Sequence, residues 1–338
     1  MQFKMSRSRT RCNGFTLVEL ITVIGIISVL MGLLLPAVQA AREAARRVAC
    51  NNNVRNLVLA TQTFETSHRI YPVCSMNDAP NSSSYTRDTS PFRQLLPFLE
   101  QTAIANAWDD REYSFGPKNS KLAAQRLSIL NCPSSTANQI LQSGAMKFGS
   151  VAVSGLDLWY ADYAGNANSN DHVIGNQQIT RGMFAISIET FSLNRVKHSD
   201  VVDGTSNTIL YWESLGGAWF NRRSSKLLQS TFDSYPAMGL IVVVRDRSGV
   251  PQAYPFATVA TIKSYLGAWA GFRVGGLAQA GVRPINWENR SMEPFSLHTG
   301  SCTIGFVDGQ VQNVSEQIDR EVLVGLSTRD GHETAYLE

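Results

Sequence analysis

The chain has no C-x-x-C pair, no H-E-x-x-H stretch and no glycine-rich phosphate loop. It therefore lacks the sequence signatures of a zinc ribbon, a zinc peptidase and a P-loop nucleotidase. Tandem repeats and low-complexity tracts are missing too, which removes solenoid architectures and long disordered linkers from consideration. Past residue 14 no run of Lys and Arg occurs, and the formal charge of +3 comes from Lys4, Arg7, Arg9 and Arg11, in a segment with no acid. The rest holds 26 basic against 27 acidic residues, a net charge of −1. That balance offers no electrostatic footprint for nucleic acid. What is present is ordinary for one or two folded domains: 338 residues, 43% apolar and 17% charged.

Against that background one stretch stands out, RCNGFTLVELITVIGIISVLMGLLLPAVQAAREAARR, residues 11–47. The mostly apolar run from Phe15 to Val38 is long enough, at roughly 1.5 Å per residue, to cross a hydrocarbon core about 30 Å thick. Its basic flank places the N-terminus in the cytoplasm and the remainder outside the cytoplasmic membrane. Near the start of the run sits a lone carboxylate, Glu19. A secretory signal cut after Ala40, in AVQA, leaves that glutamate without a purpose. An uncut signal anchor leaves it without a partner, although a carboxylate in a membrane span costs on the order of 2.5 kcal/mol or more.

G-F-T-L-V-E resembles the type III signal of type IV prepilins and type II secretion pseudopilins. The resemblance implies that a prepilin peptidase cuts after Gly14, that the new N-terminus at Phe15 is N-methylated, and that Glu19 is the fifth residue of the mature chain. It implies further that the Glu19 carboxylate pairs with the Phe15 ammonium of a neighbouring subunit, so that each charge is compensated in a low-dielectric filament core. Pro36, at a position where prepilin helices commonly carry proline, is expected to kink or locally melt the helix.

The helix is expected to continue through AREAARRVACNNNVRNLVLATQTFETSHR. Val54, Leu57 or Val58, Thr61 and Phe64 recur at helical steps and form a face for a globular body. A single helix from Phe15 to about Ser67 would measure roughly 80 Å. REAARR reads as a membrane-proximal polar turn. The organisation that follows is a leader over 1–14, a spine helix over 15–68 with its transmembrane part at about 15–38, and an extracytoplasmic body over 69–338.

Beyond Tyr71-Pro72 the composition turns to Ser, Asn, Gly and Pro between short apolar runs, the pattern of a loop-rich mixed domain. SPFRQLLPFLEQTAIANAWD reads as a short helix pair broken at Pro97, and LSILNCPSS as a strand ending in a turn. RGMFAIS, NTILYWESLGG, LIVVV and CTIGFVDGQVQNV read as strands. The fold class expected is α+β: a long pilin-like helix packed on a mainly antiparallel β body.

The order of LLPFLEQ, LNCPSS, RGMF, VVDGTSNTILYWE and SLHTGSCTIGFVDGQVQNV after the prepilin-like helix resembles a large bacterial family of prepilin-like proteins. That family has a body of unknown function and an H-x9-D-G motif near its end, and is sometimes catalogued among solute-binding families. The likeness runs from the leader to about residue 332. The motif here is His298, Asp308 and Gly309; where the family usually has proline and two glycines after the histidine, this chain has Thr299-Gly300-Ser301. The family-like stretches also hold Cys50, in VACNN, and Cys132, in LNCPSS, and the resemblance suggests that these two pair. Cys74 and Cys302 then pair or stay as thiols, while Cys12 belongs to the leader.

Three chemical readings of the body compete with a structural one. His298 near Cys302, with Asp308 to orient it, suggests a Cys-His hydrolase, but the same residues fit a strand, an Asp-Gly turn and a strand. Asp203, Thr205, Ser206 and Asn207 offer oxygens to a calcium ion, with Asp308 joining if the loops meet, yet they lack EF-hand spacing, and Asp203-Gly204 with these neighbours matches ordinary turn chemistry. Trp159, Tyr160, Tyr163, Trp212, Trp219, Trp269 and Trp287 suit a glycan-stacking surface or a core. The reading adopted is a non-enzymatic subunit with no required cofactor. Its partners are copies of itself and other pilin-like subunits, with an exported solute- or glycan-binding protein as the alternative.

Overall fold

The computed structural model describes residues 16–74, 90–112, 114, 116–135, 161–166, 182–184, 195–214, 285–286 and 294–331 with their side chains, and the backbone of further short strands between residues 140 and 289. By its internal contacts the chain divides into residues 1–45 and residues 46–338. The first unit is the apolar part of helix α1, which as a whole runs Leu17–His68. Its side chains face outward: Leu17, Ile24, Val29, Leu33 and Leu35 are each more than half exposed. This helix is long and apolar enough to cross a membrane. Pro36 lies inside it, and the helix runs continuously through that position. The ring removes a single N–H donor, the one that would reach Gly32, and the bonds on either side carry the helix through.

The second unit begins with the polar part of α1. There Cys50, Val54, Leu57, Val58, Thr61 and Phe64, spaced by helical steps, are buried along one face. They pack on a five-stranded sheet in the order β3-β1-β2-β4-β5, with β1 Tyr163–Ser169, β2 Ile209–Glu213, β3 Val274–Leu277, β4 Ser301–Phe306 and β5 Val311–Ser315. The β3–β1 pair is parallel and the other three pairs are antiparallel. Further short antiparallel pairs, Ile241–Arg245 with Pro251–Pro255 among them, lie outside this sheet.

Alternation along β4 divides the core. Cys302, Ile304 and Phe306 turn to one side, where Ile209, Trp212 and the helix α5 (Arg320–Ser327) contribute Leu323 and Leu326. On the other side the polar edge of α1 is sewn to the sheet. Thr61 Oγ1 lies 2.8 Å from Tyr211 Oη, Thr303 Oγ1 donates to Asn51 Oδ1 at 3.0 Å, and Gln62 Nε2 donates to the Val307 carbonyl at 2.9 Å. Gly305 marks the closest approach: a Cβ there would stand 2.7 Å from Val54 Cγ1 and 2.8 Å from Val58 Cγ2. Gly305→Ala is therefore expected to destabilise the body by about 1–3 kcal/mol through overpacking, seen as a lower urea midpoint at unchanged m-value.

Between α1 and the sheet run α2 (Pro91–Leu95), a 3₁₀ turn (Leu96–Leu99), α3 (Thr102–Ala107) and α4 (Ser120–Ala123). Pro97 does not break the helix pair. It sits at the start of the 3₁₀ turn, where a missing N–H is tolerated, and the break falls at Glu100, whose φ is +60°. LSILNCPSS is not a strand either: Ser128–Leu130 form a 3₁₀ turn. The backbone there is held from outside, because Asp162 N donates to the Leu130 carbonyl and Asp162 Oδ2 accepts from Cys132 N. Of RGMFAIS, Met183 and Phe184 occupy a turn and are buried, while residues 185–187 lie outside the described residues. The strands expected in NTILYWESLGG, LIVVV and CTIGFVDGQVQNV are present.

Candidate functional site

Gly14 and Phe15 lie outside the described residues; Glu19 is in the first turn of α1. Its Oε2 accepts from both the backbone N–H of Thr16, at 2.9 Å, and the Thr16 hydroxyl, at 2.8 Å, while Glu19 N donates back to Thr16 Oγ1 at 3.3 Å. This is a reciprocal capping box. Within one chain the glutamate caps its own helix, and one carboxylate oxygen remains for another donor.

In the body, the residues brought together are Cys50 from α1, Cys132 from the loop after the 3₁₀ turn, Glu213 at the end of β2 and His298 before β4. Cys50 and Cys132 form a disulfide across 82 residues of chain. His298 Nε2 lies 3.6 Å from Cys132 Sγ and 3.9 Å from Glu213 Oε1. All four side chains are buried, and one ligand atom from each lies within 4.8 Å of the others. Among the described residues, no other group of three or more His, Cys, Asp or Glu side chains converges in this way. Spacing rules had argued against a metal centre. They could not detect this group, whose members come from four segments separated by tens of residues.

Glu213 is fully buried, and neither carboxylate oxygen meets a donor at hydrogen-bond geometry. Burial raises its pKa from 4.5 to about 8; the Ser296 hydroxyl and the N–H and hydroxyl of Thr303 stand near enough to temper the rise, and the charge of Asp162 adds to it. The folded state thus holds this proton more tightly than the unfolded chain. The associated stability is present in full below about pH 4.5 and is lost as pH rises through about 8. The ionisable groups around it include His298, Asp162, Cys302 and Tyr163. In the oxidised protein, Tm is expected to fall between those two pH values and to fall less in Glu213→Gln. The difference should amount to on the order of 2–4 kcal/mol at the upper end.

The hydrolase reading fails on geometry. Cys302 is fully buried, its thiol donates to the Glu213 carbonyl at 3.4 Å, and burial followed by the Glu213 charge pushes its pKa well above the usual thiol value. A nucleophile needs the opposite shift. His298 faces Cys132 instead, and Asp308 lies in the β4–β5 hairpin, where its Oδ1 accepts from Gln310 N. That hairpin is a three-residue loop: Phe306 N donates to the Gln310 carbonyl, Gly309 N donates to the Phe306 carbonyl, and Gly309 has φ +101°. The two halves of the H-x9-D-G motif therefore do different jobs, one at the disulfide and one in a turn that rests on Gln62.

The loop of VVDGTSNTIL does meet this hairpin, since Asp308 N donates to the Thr205 carbonyl and Val307 N to that of Thr208. Asp203 Oδ2 accepts from the Thr328 hydroxyl and from Gly331 N, and Gly204 takes φ +96°. These carboxylates thus serve the turns. After His298, the single glycine kept here, Gly300, is the residue with φ +78°, and Arg47 Nη2 donates to the neighbouring Thr299 carbonyl. Arg46 Nε likewise donates to Ser134 Oγ, so two basic residues of REAARR bind body loops. Of the aromatic set, Tyr163 and Trp212 are fully buried; the side chains of Trp159, Tyr160, Trp219, Trp269 and Trp287 lie outside the described residues. Cys74 and Cys302 are both buried and form no disulfide.

An apolar helix long enough to cross a membrane, with a capped glutamate in its first turn, fits a membrane-anchored protein, and the match at its N-terminus makes that anchor prepilin-like. The prokaryotic N-terminal methylation motif matches residues 9–35. The chain belongs to the family described as protein of unknown function (DUF1559), designated SBP_bac_10, which matches residues 39–321. No curated protein and no solved structure matches it.

Proposed function

We propose that the protein is a structural subunit: after leader cleavage at Gly14 it assembles, through its apolar helix, into a filament of the type IV pilus or type II secretion kind. The observation that carries this reading is the coincidence of the methylation motif with a helix whose apolar side chains are outward-facing and whose first turn holds Glu19. An apolar surface of that length is satisfied by lipid before assembly and by neighbouring helices after it. Axial register is set by Glu19 against the Phe15 ammonium of the next subunit. The body, held outside the cytoplasmic membrane, supplies the filament surface.

The reading is tested by crosslinking in the native membrane with a prepilin peptidase present. Wild type is expected to give a ladder of multimers, and Gly14→Val, which blocks cleavage, only monomer. A wild-type chain that stays monomeric under all conditions would sink the proposal.

A further inference from the structure

We propose that the dithiol form of the Cys50–Cys132 pair, with His298 and Glu213, is a binding site for a zinc-class divalent cation, and that disulfide and metal are mutually exclusive states of the same buried pocket. The donor set is two thiolates, an imidazole and a carboxylate, all of them zinc ligands. The spacing fits. Bonds of about 2.3 Å to sulfur and about 2.0–2.1 Å to nitrogen or oxygen, at tetrahedral angles, place sulfur about 3.6 Å from nitrogen and nitrogen about 3.4 Å from oxygen. The observed separations are 3.6 Å for Cys132 Sγ to His298 Nε2 and 3.9 Å for His298 Nε2 to Glu213 Oε1.

The independent sign of a missing ligand is Glu213. A fully buried carboxylate with no geometric hydrogen bond to either oxygen is costly to keep, and a cation between it and the sulfurs offsets that cost. A metal held this way carries a net charge of −1, the same as in a Cys3His zinc site. The backbone already fixes one ligand, because Asp162 Oδ2 accepts from Cys132 N at 2.9 Å. Disulfide sulfurs are poor ligands, so binding requires reduction. A phosphine and one water convert the disulfide to two thiols and a phosphine oxide; the cation then displaces the two thiol protons and that of Glu213 to solvent.

The test uses the full chain in detergent, reduced with a phosphine and titrated with Co2+ alone. One equivalent is expected to give thiolate-to-cobalt charge-transfer and tetrahedral d–d bands, which Zn2+ then bleaches. Cys74→Ser and Cys302→Ser retain the bands; His298→Ala and Glu213→Gln weaken binding by more than about tenfold. The oxidised chain shows no bands. Where reduction lowers Tm, one equivalent of Zn2+ raises it again. The proposal is overturned if the reduced chain takes up no tetrahedral cobalt and gains no Tm from zinc, or if the bands are unchanged in both His298→Ala and Glu213→Gln.

Discussion

Cys50→Ser is expected to lower the unfolding free energy of the oxidised body by about 4 kcal/mol. The bridge closes 82 residues, and the chain-entropy relation gives about 4.5 kcal/mol for a loop of that length. It also fastens two parts of the fold that share one apolar core and are joined by polar contacts as well: Asn53 Nδ2 to the Asn131 carbonyl, and Arg46 to Ser134. Denaturation in urea of the wild type and the variant, both oxidised, reads the difference directly. Cys302→Ala provides the contrast. It removes one sulfur from a packed core and is expected to cost only about 1–2 kcal/mol. A Cys50→Ser loss smaller than the Cys302→Ala loss would show that the bridge does little to hold α1 to the body.

Glu19→Ala is expected to abolish filament assembly while leaving leader cleavage intact. Substitution can separate the capping contact seen in the single chain from the proposed pairing between subunits. In the single chain the carboxylate caps α1 through Thr16, which is worth about 1 kcal/mol to the first turn. In the proposed filament it would neutralise the neighbour's terminal ammonium, an effect far larger in a medium without water. Glu19→Gln keeps an oxygen acceptor for the cap and removes the charge. If pairing is the mechanism, Gln assembles as poorly as Ala; if capping alone matters, Gln assembles nearly as wild type. Sheared filament yield, alongside a blot that separates leader-bearing from mature chain, distinguishes these outcomes.

The parts of the protein legible in sequence were those written in local periodicity. The α1 face from Val54 to Phe64 and the strands β2, β4 and β5 follow from helical and alternating patterns, because each buries one side against one neighbour. Expectations failed where long-range partners override local preference. Ser128–Leu130 has the composition of a strand, but Asp162 binds the backbone on both sides of Asn131 and leaves no strand partner. Pro97 looks like a breaker, yet the first positions of a 3₁₀ turn accept it. The buried group at Cys132 was half visible. The cysteine pair and His298 stand inside recognisable stretches, whereas Glu213, the last residue of the strand in NTILYWE, carries no motif of its own. An acidic residue closing a run of four fully buried apolar residues was the available signal, since such a residue must be protonated, paired or liganded.

The most direct test of the account is the mass of the N-terminal peptide from the protein in its native membrane. A mature chain beginning at N-methylated Phe15 is the result predicted, and it places Glu19 where the pairing with a neighbour requires it. A chain beginning at Ala41 would contradict the account, since it would have lost both the apolar helix and the glutamate on which assembly depends.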